Sequence, residues 1–362
     1  MTLRAFIYRH RIIGKRAIAW ASRSLPAPAA RRLKALAERL AFTLTPQYQG
    51  DTLPPIFHYW SGRYLGPEAA RHGIGSPEAF YFEHVQEAAR SAAQPVRVLS
   101  LGTGAASMEI ALAEQLRDAS VPFQMTCVDF NAGLMRSAEA SARARGLDAV
   151  IRFETFDCNR PFEHASQDII IVNQFFHHVT ELETFCRSLR ASLAADGVLL
   201  SSDIIGRNGH QLWPDIELEI QRVWAALTPE QQFDRHFGER LPRYRPIDHA
   251  AYSNEGVRAQ DIVSCLLAEF DFELFFTFGG AIMPFIERRI GFNFSPEVEQ
   301  DRAVIDRVQA IDAEAIAAGR YPLANMIAAL RHKGRAPQPS YSPLSPQQHV
   351  ELTRQQQAKL PS

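Results

Sequence analysis

Residues 96–109 read Val-Arg-Val-Leu-Ser-Leu-Gly-Thr-Gly-Ala-Ala-Ser-Met-Glu: a short apolar run, the pair Gly102 and Gly104, then an apolar pattern continuing through Ile110, Leu112, Ala113 and Leu116. The run predicts a strand and the pattern after it a helix. Two glycines at the turn between them bring backbone closer to a ligand than any Cβ permits, and the helix N-terminus beyond offers unpaired N–H groups. This segment therefore predicts a loop that holds a nucleotide cofactor.

Working outward, the chain alternates. Apolar runs at 123–128, 151–156, 168–172 and 198–204 read as strands, with helical patterns at 132–145 and 182–194 between them. Nearly continuous apolar strands separated by helices predict a doubly wound, Rossmann-like, mostly parallel α/β sheet with its site at the C-terminal strand ends. Further on, 257–270 reads as helix, 272–278 as strand, 298–318 as helix and 325–330 as a last short strand. We expect a basic helical extension or lid at 1–90 and a cofactor domain of seven strands at 91–333. Two insertions at about 207–255 and 281–320 complete that domain, and a disordered Pro/Gln/Ser-rich tail follows at 334–362.

Composition narrows the class. The chain has 362 residues, 46% of them hydrophobic and 22% charged, which allows a sizeable core. The four cysteines, Cys127, Cys158, Cys186 and Cys265, form no C-x-x-C pair, which fits a reduced, cytoplasmic setting. The net charge of −1 hides a segment, 1–40, with ten Lys or Arg against Glu38 alone. A basic end this local argues against a chain-wide nucleic-acid surface. Its interleaved Leu3, Phe6, Ile7, Ile12, Ile13 and Trp20 suit peripheral contact with an anionic membrane, or an arm packed on the domain.

The neighbours of the glycine loop indicate which cofactor it holds. Asp129 stands 25 residues after Gly104 at the end of the second strand, where a carboxylate can accept both hydroxyls of an adenosine ribose. Asp157 ends the third strand, where it can accept an adenine amino hydrogen, with Phe130 and Phe156 near enough in sequence to face the ring. A nicotinamide-dependent oxidoreductase would use a similar sheet, but the third glycine of its fingerprint falls on Ser107 and no Tyr-x-x-x-Lys pair follows. A non-catalytic cofactor-binding protein is the other alternative.

From 96 to 204 the series resembles the class I S-adenosylmethionine-dependent methyltransferases. The likeness is carried by the glycine loop, Cys-Val-Asp-Phe-Asn at 127–131, Thr-Phe-Asp-Cys at 155–158 and Asn-Gln-Phe-Phe-His-His at 173–178. A looser likeness, through 59–64 and 202–210, is to bacterial methyltransferases met beside sugar- and polysaccharide-modifying enzymes. The resemblance implies S-adenosyl-L-methionine as cofactor, with Ser100, Gly102, Thr103, Gly104, Glu109, Asp129, Phe130, Asp157, Cys158, Asn173 and Gln174 around it. One departure stands out: the family places an acid two residues before the first glycine, and here that residue is Ser100. Glu109 is expected to face the methionine ammonium instead.

Methyl transfer needs alignment and, for a hydroxyl acceptor, removal of a proton. His177 and His178 follow the fourth strand beside the expected sulfonium position, with His178 the first choice of base, and Asp203 and His210 next. The loop from Asp203 to Trp213 suits a hydroxyl-rich acceptor, either a small molecule or a glycan. No metal is expected, because adjacent histidines lack a third ligand at recognisable spacing.

Overall fold

The computed structural model describes residues 53–361, together with 18, 20, 21, 25, 26, 29, 30, 33 and 34. The expectations for the basic arm at 1–40 fall mostly outside the described residues. Among those described, no helix is long and apolar enough to cross a membrane.

The chain enters through α1 (Pro55–Trp60), a five-residue π-helical turn, α2 (Gly66–Arg71) and α3 (Pro77–Ser91). The alternating core follows: β1 (Val96–Leu101), α4 (Ser107–Asp118), β2 (Phe123–Asp129), α5 (Ala132–Ala144), β3 (Ile151–Thr155), β4 (Gln167–Asn173), α6 (Leu182–Ser192) and β5 (Leu193–Ile204). Then come α7 (Pro214–Trp224), the short hairpin β6 (Phe233–Asp234) and β7 (Glu239–Arg240), α8 (Ile262–Glu269), β8 (Phe270–Phe278), α9 (Met283–Ile286) and α10 (Glu299–Ala317). Strands β9 (Asn325–His332) and β10 (Ser340–Ser342) and helix α11 (Pro346–Ala358) close the chain.

The main sheet has eight strands in the order β10-β8-β9-β5-β4-β1-β2-β3, one more than expected. Strands β1 to β5 pair in parallel, and β9 lies antiparallel between β5 and β8. The order reverses between β1 and β4, which opens a crevice at their carboxyl ends. Period-two alternation sets the layers. Val96, Val98, Ile169, Ile171, Val198 and Leu200 pack on one face, with Leu112, Leu116 and Ala138 from α4 and α5. Leu99, Leu101, Ile170, Val172 and Leu199 pack on the other, with Phe185 and Leu189 of α6. Each such buried aliphatic side chain contributes about 1.5–3 kcal/mol.

The insertions build a third apolar cluster, in which Trp60, Trp213, Ile216, Ile220, Trp224, Phe285 and Ile305 join α1, α7, α9 and α10. The tail corrects a reading of composition. Residues 340–342 add β10 to β8, and Ser345 and Gln348 form a capping box that starts α11. That helix buries mostly polar residues, and two of them tie it to the domain: His349 contacts the Leu323 carbonyl at 3.0 Å, and Gln356 donates to the Arg320 carbonyl at 2.7 Å and to Asp215 at 2.9 Å. A count of apolar residues cannot register such a docking surface.

Candidate functional site

The glycine loop leaves β1 with Gly102 at φ 73° and Gly104 at φ 54°, both in the left-handed region. The amides of Gly102 and Thr103 donate to the Val128 carbonyl at 2.8 and 3.1 Å, which folds the loop over the end of β2. A Cβ on Gly102 would lie 2.0 Å from the Phe175 ring, so only glycine lets that ring cover the loop.

Asp129 is buried at the end of β2. Its Oδ2 accepts the Gly104 amide at 3.0 Å and its Oδ1 the Asn131 amide at 2.8 Å. Burial raises its carboxyl, and those two amides only partly oppose the shift. Each carboxylate oxygen keeps a further acceptor site for a sugar hydroxyl. Beneath the loop, the Ser100 hydroxyl donates to Glu109 Oε1 at 2.8 Å, so the serine at the departure and its expected substitute are in contact. Glu109 is 3% exposed, and burial lifts its carboxyl to about 7, against the pull of the Ser100 hydrogen bond. Asp157 is exposed and accepts from the Asn159 amide at 3.0 Å, while Cys158 is buried beside it. Asn173, half-buried at the end of β4, accepts from the buried Tyr81 hydroxyl at 3.0 Å. Gln174 follows at φ 50°, its amide donating to the Ser202 carbonyl at 2.8 Å. The two acids that the resemblance assigns to the ribose and the ammonium, Asp129 and Glu109, are thus both held against the glycine-loop segment, through Gly104 and Ser100 respectively, a donor set that fits S-adenosylmethionine.

Across the crevice, Asp203 organises the second half of the site. It is fully buried, and its Oδ2 accepts the amides of Phe175 and Phe176, both at 2.8 Å. Its Oδ1 accepts the Ile204 amide at 2.8 Å and lies 2.6 Å from His177 Nδ1. The acid thus fixes the short 3-10 turn at Phe176–His178 and sets the His177 proton on Nδ1. Arg207, a conceivable partner for Asp203, donates to the Leu212 carbonyl instead.

The loop after Asp248 brings in Glu255, which the sequence did not single out. Its Oε1 lies 3.4 Å from His177 Nε2 and 2.9 Å from His210 Nε2, and its Oε2 lies 3.5 Å from His178 Nε2. Burial lowers the affinity of the His177 imidazole for its proton, but Asp203 and Glu255 on its two nitrogens outweigh this and hold it at about 10. Burial, helped by the charge of His177, pushes His178 down to about 4. Burial also disfavours the Glu255 anion, yet hydrogen bonds from His177 and His210 keep its carboxyl well below the usual range. The structure therefore brings His177, His178, His210 and Asp203 together as expected, but it gives the orienting carboxylate to His177 rather than His178.

A cavity of about 840 Å³ opens beside this cluster, lined by Gln174, Arg207, His210, Trp213, Tyr244 and Glu255 among others. Trp213, itself buried, is part of that lining. Tyr59 and Tyr64 donate to Asp306 of α10, at 2.9 and 2.7 Å, and Trp60 to Gln309, so this segment is fastened to α10.

Residues 99–201 match a family model described as a methyltransferase domain. Among curated proteins, the chain is 22% identical over 196 residues to a non-reducing polyketide synthase of Penicillium shearii, covering 52% of this chain and 9% of that one. It is 27% identical over 128 residues to the malonyl-[acyl-carrier protein] O-methyltransferase of Bacillus cereus, covering 35% of this chain and 43% of that one. The chain thus spans less than half the length of either relative. A solved geranyl diphosphate methyltransferase, in complex with GPP and sinefungin, aligns with a TM-score of 0.40 at 11% identity, over 70% of this chain and 78% of that one.

Proposed function

We propose that this chain, whose residues 99–201 form a class I S-adenosylmethionine-dependent methyltransferase domain, moves a methyl group to an oxygen of a small molecule or glycan held in the cavity beside Glu255. The observation that carries the reading is the pairing across one crevice. The glycine loop with Asp129 and Glu109 stands on one side, and the imidazole cluster anchored by Asp203 stands on the other.

When bound, S-adenosylmethionine supplies a methyl group on a positively charged sulfur. The chain's own residues do the rest. Asp129 holds the ribose end. Glu109, once ionised, pairs with the ammonium. Phe175, lying over Gly102, excludes water from between the cofactor loop and the fourth strand. Asp203 fixes His177, and the cluster of His177, His178, His210 and Glu255 takes up the proton that the acceptor hydroxyl loses. Trp213 and Tyr244 provide apolar wall, and Arg207 and Gln174 provide polar contacts for a hydroxylated acceptor.

Calorimetric titration with S-adenosylhomocysteine and NAD tests the first half, with tight binding expected of the former alone. Transfer from labelled donor into extracts, followed by mass spectrometry, tests the second. Asp203→Asn is expected to lower turnover by about 10² to 10⁴ while S-adenosylhomocysteine affinity is retained. Loss of both together would assign Asp203 to folding. The basic segment 1–40 adds a proposed peripheral contact with anionic membrane, checked by salt-sensitive cosedimentation with anionic vesicles.

A further inference from the structure

The imidazole cluster has an arrangement that proton transfer alone does not require. His177 Nε2 and His210 Nε2 converge on a single oxygen, Glu255 Oε1, at 3.4 and 2.9 Å, and these three atoms lie within 4.8 Å of one another. His178 Nε2 stands 3.5 Å from the other carboxylate oxygen. Asp203 Oδ1, which also accepts the Ile204 amide, holds the other nitrogen of His177, Nδ1, at 2.6 Å.

From this we infer that His177, His210 and Glu255 form a binding site for one divalent transition cation of the zinc type, deepening the acceptor-site reading on which it rests. Two imidazole nitrogens and one carboxylate oxygen are a ligand set of catalytic zinc sites, which keep a further position open. Here His210 and Glu255 line the acceptor cavity, so the open position faces it. A buried carboxylate behind the first histidine is the outer partner that metal-bound imidazoles ordinarily have, and Asp203 fills that place. The chain also reserves space for the arrangement. Gly256 sits at φ 66°, and a Cβ there would come within 2.9 Å of the His210 ring. A cation at this point would bind the acceptor oxygen and lower its pKa, as bound metals do in generating nucleophiles near neutral pH, and the proton released would pass to His178, which lies outside the ligand set.

The test uses the full-length chain, prepared without a histidine tag and stripped with a chelator. It is titrated with Zn²⁺ by calorimetry and with Co²⁺ by visible absorption. One equivalent should bind with micromolar affinity or better, and the Co²⁺ adduct should show the strong d–d bands of a low-coordinate site. Glu255→Gln and His210→Asn should each weaken binding by about 100-fold with unchanged thermal melting. Absence of binding, or equal binding by both variants, overturns the site. A parallel titration with S-adenosylhomocysteine separates the two readings. Cofactor binding without metal binding rejects the cation site alone, whereas metal binding without cofactor binding rejects the methyltransferase reading and leaves the cation site standing.

Discussion

Glu109 shows how one buried side chain couples the stability of the fold to pH. Its carboxyl is lifted from 4.5 to about 7 by burial, so the folded chain holds this proton more tightly than the unfolded chain does. The stabilisation is complete below about 4.5 and is lost as pH rises through about 7, a loss of roughly 3 kcal/mol at the 1.36 kcal/mol that each pKa unit represents. Glu109→Gln should flatten that part of the stability-against-pH curve, as denaturant melts at pH 5 and pH 8 will show. The same variant should weaken S-adenosylhomocysteine and leave adenosine nearly untouched, because only the former carries the ammonium. Asp129→Ala should weaken both ligands about tenfold or more. If calorimetry finds affinity unchanged in folded protein, the ribose assignment is wrong. These two acids were legible because strand ends and glycine spacing are local properties of a sequence. Glu255 was not: it lies 78 residues beyond His177, in a segment without periodicity. Its position depends on tertiary bonds, such as the Gly209 amide to the Gly256 carbonyl at 2.8 Å.

Elements meet the site through two glycine-dependent turns, and each offers a test that leaves every reacting group unsubstituted. Gly102→Ala adds a Cβ at φ 73° against Phe175, combining left-handed strain of about 1–2 kcal/mol with overpacking of about 1–3 kcal/mol. A lower melting temperature and weaker S-adenosylhomocysteine binding are expected together. Gly256→Ala pushes on the His210 ring instead, at the far side of the crevice. Turnover should fall by at least tenfold, since small misplacements of a positioned group are costly, while cofactor affinity stays near that of the parent. The alternating strands and helices from 96 to 204 were readable because β1, β4 and β5 show apolar residues to both faces of a covered sheet. The antiparallel setting of β9 was not, since an apolar run of that length has no direction until it meets its neighbours.

At the scale of the whole molecule, the last 28 residues are structural. Deleting 335–362 removes β10 and α11, uncovering surface now closed by Leu344, His349, Leu352 and Gln356. At about 1.5–3 kcal/mol for each of the two leucines, and about 2–4 °C per kcal/mol, the melting temperature should drop by about 10 °C. A truncated chain that melts with the parent would return the segment to the status of a tail. The insertion of β9 between β5 and β8 has a consequence for biogenesis. Strand β5 ends at Ile204, yet the strand that covers its edge begins at Asn325. During synthesis, the strands up to β5 are therefore made some 120 residues before the strand that covers their edge, and the β5 edge meanwhile stands unpaired, available to any other chain. Nascent chains stalled between these points should be the ones that chaperones retain, and the acceptor half can diverge in evolution around a cofactor half that was made before it.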